Sequence, residues 1–338
     1  MKKIFVAVFI LLFVIVGTSF AQKKEYRFGL ALQTLQNPFY LSLKAGADSA
    51  AEKLGNVKLY VTAAQHSTDL DTQVRQLEDF IQMKVDVIGL VPLERKGIIP
   101  TIEKINKAGI PVITVDSDAE GGKREAYIAT DQVLGGKLGA QWIIKALHGK
   151  GKIAILENPP GALVNTLRLQ GFNSEIEKAK GIQVVSSLTA RSRRDLGMRV
   201  MDDIITAHPD LNAVMALNDE MALGALEALR TRSKLKQVKI VGFNGAAEAI
   251  HQVYRGNMSA DVVQYPEKIG ELFVYWALRI AQGEKPPAEL PKTSTNPPTT
   301  HIDSGVSIVD TDLLQIKVGP AFKLIPNELK FYADQKPF

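Results

Sequence analysis

The sequence predicts an α/β protein with two doubly wound parallel-sheet (Rossmann-like) lobes, and three observations lead to this prediction. Short apolar runs typical of buried strands alternate with helical patterns along most of the chain, which is the order of elements in parallel sheets with right-handed crossovers. The alternation restarts after about residue 130, which indicates two similar units. With 338 residues, 46% of them hydrophobic and 23% charged, the chain is long enough for two globular domains.

The first series of elements ends at residue 115. Its first helix begins with Pro38, which is tolerated at the first helical position because the N–H there has no intrahelical partner. Its second helix places Val74, Leu77 and Ile81 on one face. In chain order the series comprises a strand over 27–32, a helix over 38–54, a strand over 57–61, a helix over 69–83, a strand over 85–91, a helix over 97–108 and a strand over 112–115.

The second series contains the most informative segment, which runs from Ala213 to Ala225. Its first five residues are apolar, as in a strand covered on both faces, and Met221 and Leu223 then begin a helical pattern in an Ala-rich stretch. The series comprises a helix over 131–147, a strand over 152–156, a helix over 168–179, a strand over 183–188, a helix over 196–207, a strand over 213–217 with the helix that follows it, and a strand over 238–243.

Asn218 and Asp219 stand between this strand and its helix, at the edge where open α/β sheets bind ligands. Asn218 offers both a hydrogen-bond donor and an acceptor, and Asp219 offers acceptors only, which together suit hydroxyl groups. A second interpretation is equally open at this point, since asparagine and aspartate are also the preferred N-caps of helices.

The first residues are typical of a secretory signal peptide. Lys2 and Lys3 precede an apolar run from Ile4 to Val16, and small residues follow up to Ala21, after which we expect cleavage. The run is short for a membrane-spanning helix, which needs about 20 apolar residues. An uncleaved anchor is therefore the less favoured alternative. The chain has no cysteine, which excludes a lipid-modified cysteine, disulfides and thiolate metal sites.

Several segments in this order resemble the type I periplasmic sugar-binding family, to which ribose-binding proteins belong. They are Asn37-Pro-Phe-Tyr, Pro111 to Asp116, Ala129 to Lys137, Thr206 to Asp210, Asn218 to Leu226, and Val241 to Gly245. The resemblance covers roughly residues 26 to 305 and implies two lobes joined by a three-strand hinge, with a ligand cleft between them. It assigns 26–130 and 265–294 to the N-terminal lobe, 131–264 and 295–310 to the C-terminal lobe, and leaves 311–338 as a docked or disordered tail.

The resemblance implies ligand-binding roles for residues of the N-terminal lobe. Asn37 offers an amide to a hydroxyl, and Phe39 and Tyr40 offer flat apolar faces to a sugar ring, although a hydrophobic staple of the first helix is the other interpretation. Asp116 ends a strand and can accept two hydroxyls in charge-assisted hydrogen bonds. Ser117 stands where the family has arginine.

In the C-terminal lobe the implied ligand-binding residues are Arg168, Ser192, Asn218, Phe243, Asn244 and Gln264. Arg168 would be interpreted as a solvated surface residue without the motif, but its planar fork can donate to two oxygens at once. Ser192 stands where ribose binders place a stacking phenylalanine, and Asn244 where they carry aspartate. Together with Ser117, these departures leave the formal charge of the pocket about unchanged and predict a neutral sugar or polyol other than ribose.

The run from Arg191 to Arg194 leaves a choice open. One of its arginines could enter the cleft and bind an acidic ligand, but a solvated helix start is the preferred interpretation. Asp118 is a further polar candidate that could equally face solvent. A glycosidase pair of Asp116 and Asp219 is disfavoured, because in this context the two carboxylates are expected to hold hydroxyls.

The function expected from these features is that of a periplasmic solute-binding protein for an ABC permease, or of a receptor that presents its closed form to a chemoreceptor or sensor kinase. We expect a monomer, no catalytic residues, no cofactor and no metal, since nucleophile-elbow and phosphate-loop motifs are absent and the five histidines lack paired metal spacing. The formal charge falls from +5 to +3 without Lys2 and Lys3, which gives no reason to expect nucleic-acid binding. A sugar-responsive repressor is disfavoured because a signal peptide occupies the position of its DNA-binding segment.

Overall fold

The computed structural model describes residues 24–65 and 69–312, which form two α/β lobes, each around a six-stranded sheet. In chain order the elements are β1 (Tyr26–Thr34), α1 (Pro38–Leu54), β2 (Val57–Ala64), α2 (Leu70–Gln82), β3 (Val87–Leu90), α3 (Ile99–Lys107), β4 (Val112–Val115), β5 (Ala126–Ala129), α4 (Gln132–Ala146), β6 (Lys150–Glu157), α5 (Leu163–Ile176), β7 (Gly181–Thr189), α6 (Arg194–Ala207), β8 (Ala213–Ala216), α7 (Asp219–Thr231), β9 (Lys239–Asn244), α8 (Ala247–Tyr254), β10 (Ala260–Val263), α9 (Pro266–Ala281), β11 (His301–Asp303) and β12 (Ser307–Asp310).

The two sheets have the same winding. The first has the strand order β11-β5-β4-β3-β1-β2, and all its pairings are parallel. The second has the order β12-β10-β9-β8-β6-β7 and is parallel except at the edge, where β12 pairs antiparallel with β10. The predicted fold class of two doubly wound lobes is confirmed.

The chain passes from one sheet to the other after β5, after β10 and between β11 and β12. The last of these crossings is not where the resemblance placed it. Residues 295–310 were expected in the C-terminal lobe, but His301–Asp303 pairs with β5 of the first sheet, and Arg124 Nη2 of the first lobe donates to Thr295 Oγ1 at 2.7 Å. Only Ser307–Asp310 joins the second sheet. The lobe boundary therefore follows β11 and does not lie at residue 295.

Helix bounds follow the local signals where those signals are strong. The helix α1 has its predicted bounds, because Asn37 caps it, Pro38 starts it and Gly55 ends it in the left-handed conformation at φ 67°. By contrast, α5 begins at Leu163, five residues before the predicted start, and no side chain caps it. The four-residue strands β5 and β10 were not predicted, and in β10 Asp261 interrupts the apolar run that would indicate a buried strand.

Close packing of α4 against α5 fixes the position of Arg168 in the second lobe. A Cβ atom at Gly136 would lie 2.1 Å from the carbonyl oxygen of Arg168, and one at Gly171 would lie 1.9 Å from the carbonyl oxygen of Val133. Such distances are too short for any side chain, so these two glycines let the helix backbones touch. The fully buried ring of Phe172, next to this contact, anchors α5 in the core of the lobe.

Two of the predictions from the sequence lie outside the described residues. These are the signal peptide over 1–21 and, apart from its first two residues, the tail over 311–338. Within the described ranges, no helix combines the length and the apolar character that crossing a membrane requires.

Candidate ligand-binding site

The candidate residues collect at the carboxyl ends of the parallel strands, where the chain crosses between the lobes. Asp116 and Ser117 follow β4, Ser192 follows β7, and Asn218 follows β8. At this edge four residues other than glycine have a positive φ: Asp116 at 60°, Arg191 at 51°, Ser192 at 59° and Asn244 at 144°. Backbone strain of this kind persists only where the surrounding structure fixes it, and it concentrates at functional sites.

Arg168 is the best-held residue of the site. Its guanidinium is buried, lies over the ring of Phe243 at 3.8 Å from the centroid, and donates from Nε to Gln132 Oε1 at 2.8 Å. Its Nη1 donates to the carbonyl oxygen of Leu217 and, at 3.4 Å, to Asn244 Oδ1. Burial lowers the pKa of Arg168 to about 10, so the side chain is charged at neutral pH. This contradicts the interpretation of a solvated surface arginine.

Asp116 provides the opposite charge from the first lobe. Its Oδ2 accepts a hydrogen bond from Tyr40 Oη at 3.2 Å, and Tyr127 Oη donates to its backbone carbonyl at 3.0 Å. Burial raises the pKa of Asp116 to about 6, against the opposing effects of the Arg168 charge and the Tyr40 hydrogen bond. The charge of Arg168 also acts on Tyr40, so the polar groups of the two lobes face each other.

Amide side chains connect the second lobe to the crossings. Gln264 Nε2 donates to Asn244 Oδ1 at 2.9 Å, and Gln132 Nε2 donates to Gln264 Oε1 at 2.9 Å. Since Gln132 also receives the hydrogen bond from Arg168, these side chains form one buried network. Gln132 follows the crossing after β5 and Gln264 follows β10, so the network spans two of the three crossings.

The two candidate asparagines that precede helices both act as caps. Asn37 Oδ1 accepts from the N–H of Phe39 at 3.0 Å, and Asn218 Oδ1 accepts from the N–H of Met221 at 2.9 Å. Asn218 Nδ2 also donates to the carbonyl of Ser192 at 3.3 Å. The capping interpretation of Asn218 is therefore correct, and any role in ligand binding would be additional.

Phe39 and Tyr40 are buried in the core of the first lobe, with their rings edge to face at 5.3 Å. This packing agrees with the interpretation as a hydrophobic staple of the first helix. It also agrees with the interpretation in which an aromatic ring faces the sugar. Ser192 Oγ donates to Asn158 Oδ1 at 2.8 Å. Asn158 was not among the predicted residues, although it follows the apolar run of β6 at the same sheet edge and the strand-end rule could have found it.

Three other candidates form ion pairs with residues outside the site. Arg193 pairs with Asp195 at 2.8 Å, and Arg194 pairs with Glu220 at 3.1 Å, both in partly or fully exposed positions, as a solvated helix start requires. Asp118 neither faces solvent nor enters the cleft, because it forms a buried ion pair with Arg124 at 3.1 Å. Among the residues that the structure describes, no group of three or more potential metal ligands occurs.

Comparison with known proteins identifies the family. Residues 28–285 match the family described as periplasmic binding protein domain. The chain belongs to this family. The ribose import binding protein of Bacillus subtilis is 39% identical over 263 residues, which cover 78% of this chain and 84% of the relative. The D-allose-binding periplasmic protein of Escherichia coli is 30% identical over 262 residues, covering 75% of this chain and 83% of the relative.

Solved structures of solute-binding proteins from ABC transporters share the fold of this periplasmic binding protein. The protein from Actinobacillus succinogenes with bound D-allose has a TM-score of 0.78 and 28% identity, covering 85% of this chain and 98% of that one. The protein from Bacillus halodurans with bound myo-inositol has a TM-score of 0.78 and 26% identity, covering 87% and 97%. Members of the family are binding proteins and not enzymes.

Proposed function

We propose that this protein binds a neutral sugar or polyol between its lobes and delivers it to the permease of an ABC importer. The observation that carries the proposal is that the charges of Asp116 on one lobe and Arg168 on the other act on each other, with both groups buried at the edge where the strands of each sheet end. A carboxylate that accepts and a guanidinium that donates provide both kinds of partner that hydroxyl groups need. The family and the ligands of its solved members support the same conclusion.

The charges at the site favour a neutral ligand over an acidic one. Asp116 and Arg168 balance one another, and the nearby arginines 193 and 194 are paired with carboxylates at the surface. Ser117 and Asn244, which replace an arginine and an aspartate of the ribose binders, support a ligand other than ribose. A site that pairs each buried hydroxyl rejects analogues that leave one of its groups without a partner.

Ligand binding is expected to select the closed arrangement of the lobes, since a ligand in contact with both Asp116 and Arg168 stabilises that state more than the open one. The protein is expected to act as a monomer without catalytic activity. The signal-like segment over 1–21 supports export with cleavage after Ala21, which sequencing the N-terminus of the exported protein would test.

The function can be tested by a thermal-shift screen of protein that has been unfolded and refolded to remove bound ligand. The panel contains D-ribose, D-allose, D-arabinose, xylitol, myo-inositol and glycerol, with D-galacturonate as an acidic comparison. A ligand at a hundred times its dissociation constant adds about 2.7 kcal/mol of stability, which gives a clear shift. We expect a strong shift with one neutral compound other than D-ribose. A shift with D-galacturonate alone would contradict the neutral-ligand proposal, and a strongest shift with D-ribose would contradict the change of specificity.

A further inference from the structure

A second group of carboxyls lies just behind the site, in the second lobe. Asp219 starts α7 and Asp261 is the second residue of β10, and their side chains are 1% and 0% exposed. They share the space above Gly242 of β9. A Cβ atom there would lie 2.7 Å from Asp219 Oδ1 and 3.1 Å from Asp261 Oδ2, so any larger residue at this position would displace the two carboxyl groups.

Neither carboxyl of this pair forms an ion pair with a cationic side chain among the described residues. Asp219 Oδ2 accepts from the N–H of Ala246 at 2.7 Å, and the backbone N–H groups of Asn244 and Gly245 lie close enough to Asp261 to lower its pKa, but Asp219 Oδ1 and both oxygens of Asp261 have no hydrogen bond of good geometry. Two ionised carboxylates so close together in the interior would repel each other strongly. One proton, carried by Asp261 and donated to Asp219 Oδ1, removes the repulsion and gives that buried oxygen a donor.

The surrounding charges agree with this placement of the proton. Burial and the charge of Asp219 raise the pKa of Asp261 well above its usual range, whereas burial raises the pKa of Asp219 only to about 6 because the hydrogen bond from Asp261 opposes it. Arg168 acts on Asp219 from the ligand side, and Glu220 raises its pKa from the next position of α7.

Other charged groups on the neighbouring elements are engaged away from the pair. Glu248 of α8 pairs with Arg194 at the surface, at 2.7 Å. On β12, Val309 is the register partner of Asp261, and the next residue, Asp310, accepts from Trp142 Nε1 at 3.0 Å. Lys239 is exposed at the start of β9.

We propose that protonated Asp261 and ionised Asp219 act as a positioning pair for the ligand-binding loop over 244–246. Asp219 holds the N–H of Ala246, and this fixes the end of a loop whose first residue, Asn244, has φ 144° and accepts from Gln264 and Arg168. The role in ligand binding rests on the proposed function, whereas the shared proton and its hold on the loop do not.

The proposal gives a pH dependence with a definite sign. As the pH rises, Asp261 ionises, the two carboxylates repel, the loop loses its fixed position and sugar affinity falls. An Asp261→Asn substitution supplies an amide donor that cannot ionise, so it retains the loop and abolishes the alkaline loss. An Asp261→Leu substitution removes the donor and lowers affinity about fivefold or more at every pH.

The experiment follows the backbone amide of Ala246 by NMR in sugar-free protein between pH 5.5 and 9.5, together with calorimetric titration of D-allose and D-ribose. The variants are Asp261→Asn, Asp261→Leu and, as a matched control, Asp203→Asn at an exposed position of the same lobe. Above pH 7 we expect the Ala246 amide to titrate in the wild type and in Asp203→Asn and to stay constant in Asp261→Asn, whereas below pH 7 it also follows the protonation of Asp219, whose pKa is about 6.

Each readout decides a different part of the proposal. An Ala246 amide that titrates identically in the wild type and Asp261→Asn would overturn the positioning pair. An amide that behaves as expected with unchanged affinity across the variants would overturn its role in binding. Should neither sugar bind at any pH, the choice of sugars under the proposed function would fail, and the amide would still decide whether the proton is shared.

Discussion

The first lobe presents Asp116 to the cleft with one side-chain hydrogen bond, from Tyr40, whereas the second lobe holds Arg168 with Gln132, the Leu217 carbonyl and Asn244 and stacks it on Phe243. The second half of the site is thus ordered before a ligand arrives. In the first half, the carboxylate of Asp116 accepts a side-chain hydrogen bond from Tyr40 only, so it is held less firmly. Since preorganised groups lose less entropy on binding, we expect the second lobe to supply most of the affinity and the first lobe to supply its pH dependence.

The lobes also neutralise their buried aspartates in different ways. In the first lobe Asp118 pairs with Arg124, whose guanidinium also donates to Thr295 near the end of the chain's passage through that lobe. In the second lobe Asp219 and Asp261 have no such cation among the described residues, and in our proposal they share one proton. The ion pair of Asp118 and Arg124 is insensitive to pH near neutrality, because arginine does not lose its charge there. A proton shared by Asp219 and Asp261 can be lost as the pH rises, so the arrangement in the second lobe depends on pH.

The largest expected effect comes from Arg168→Ala, which tests the dominance of the second lobe. Hydrogen bonds to charged groups contribute about 1.5–3 kcal/mol, so ligand affinity should fall at least about tenfold. Calorimetric titration with the compound found in the screen measures the change. The matched control is Arg230→Ala, an exposed arginine paired with Glu227 at 2.7 Å, which should leave affinity unchanged. Equal affinity of wild type and Arg168→Ala would remove this residue from the site.

Asp116→Asn should lower affinity by about tenfold at pH 8, because a neutral amide replaces a charge-assisted acceptor. In the wild type affinity should also fall as the pH drops through about 6, where Asp116 gains its proton. The variant should lose this acid-side dependence. Titrations between pH 5 and 8 test both statements, with Asp79→Asn, an exposed aspartate of the same lobe, as the control.

The same carboxyl predicts a change in stability with the opposite trend. The pKa of Asp116 is raised from its usual 3.8 to about 6, so between these values the folded protein binds more protons than the unfolded chain. Its contribution to the free energy of unfolding therefore decreases as the pH rises through this interval. Denaturant unfolding of Asp116→Asn should lack that decrease, and an identical pH dependence in both proteins would contradict the raised pKa.

Tyr40→Phe should have a smaller effect at neutral pH, about twofold to tenfold, since it removes one neutral donor worth about 0.5–1.5 kcal/mol. Because the Tyr40 hydrogen bond lowers the pKa of Asp116, its loss should move the acid-side fall in affinity to higher pH. The control is Tyr275→Phe, which changes a tyrosine that is 37% exposed on α9. A midpoint that does not move would show that Tyr40 leaves the carboxylate unaffected.

The sequence predicts this fold well where apolar periodicity is long and helix ends carry proline, asparagine or glycine, as in α1. It fails at β5 and at the crossing after β11, because strand partners across the sheet are not encoded in local patterns. Arg168 could be found only through its motif, since a buried arginine looks like a surface arginine until its partners are known. Asp261 was missed, although a single aspartate inside the apolar run from Ala260 to Val263 is a signal of a buried polar partner.

The smallest expected effects separate the lobes most sharply, and they come from the two capping asparagines. Serine also caps helices well, so Asn37→Ser and Asn218→Ser both retain an acceptor for the first turn while removing the amide donor. In Asn218 the amide Nδ2 donates to the carbonyl of Ser192, and this bond would be lost in Asn218→Ser. In Asn37 the capping bond is made by the Oδ1 atom, and serine can replace that acceptor. Asn218→Ser should therefore cost about 1 kcal/mol of unfolding free energy and Asn37→Ser less than half of that.

For affinity the order should reverse. The family resemblance implies that the half-buried Asn37 donates its amide to a ligand hydroxyl, so Asn37→Ser should weaken binding about threefold or more, and Asn218→Ser less. Paired denaturation and titration of the two variants measure both quantities. A larger affinity loss for Asn218→Ser would place the amide donor of the site on the second lobe, and the contribution of the first lobe would then reduce to Asp116 and its tyrosine.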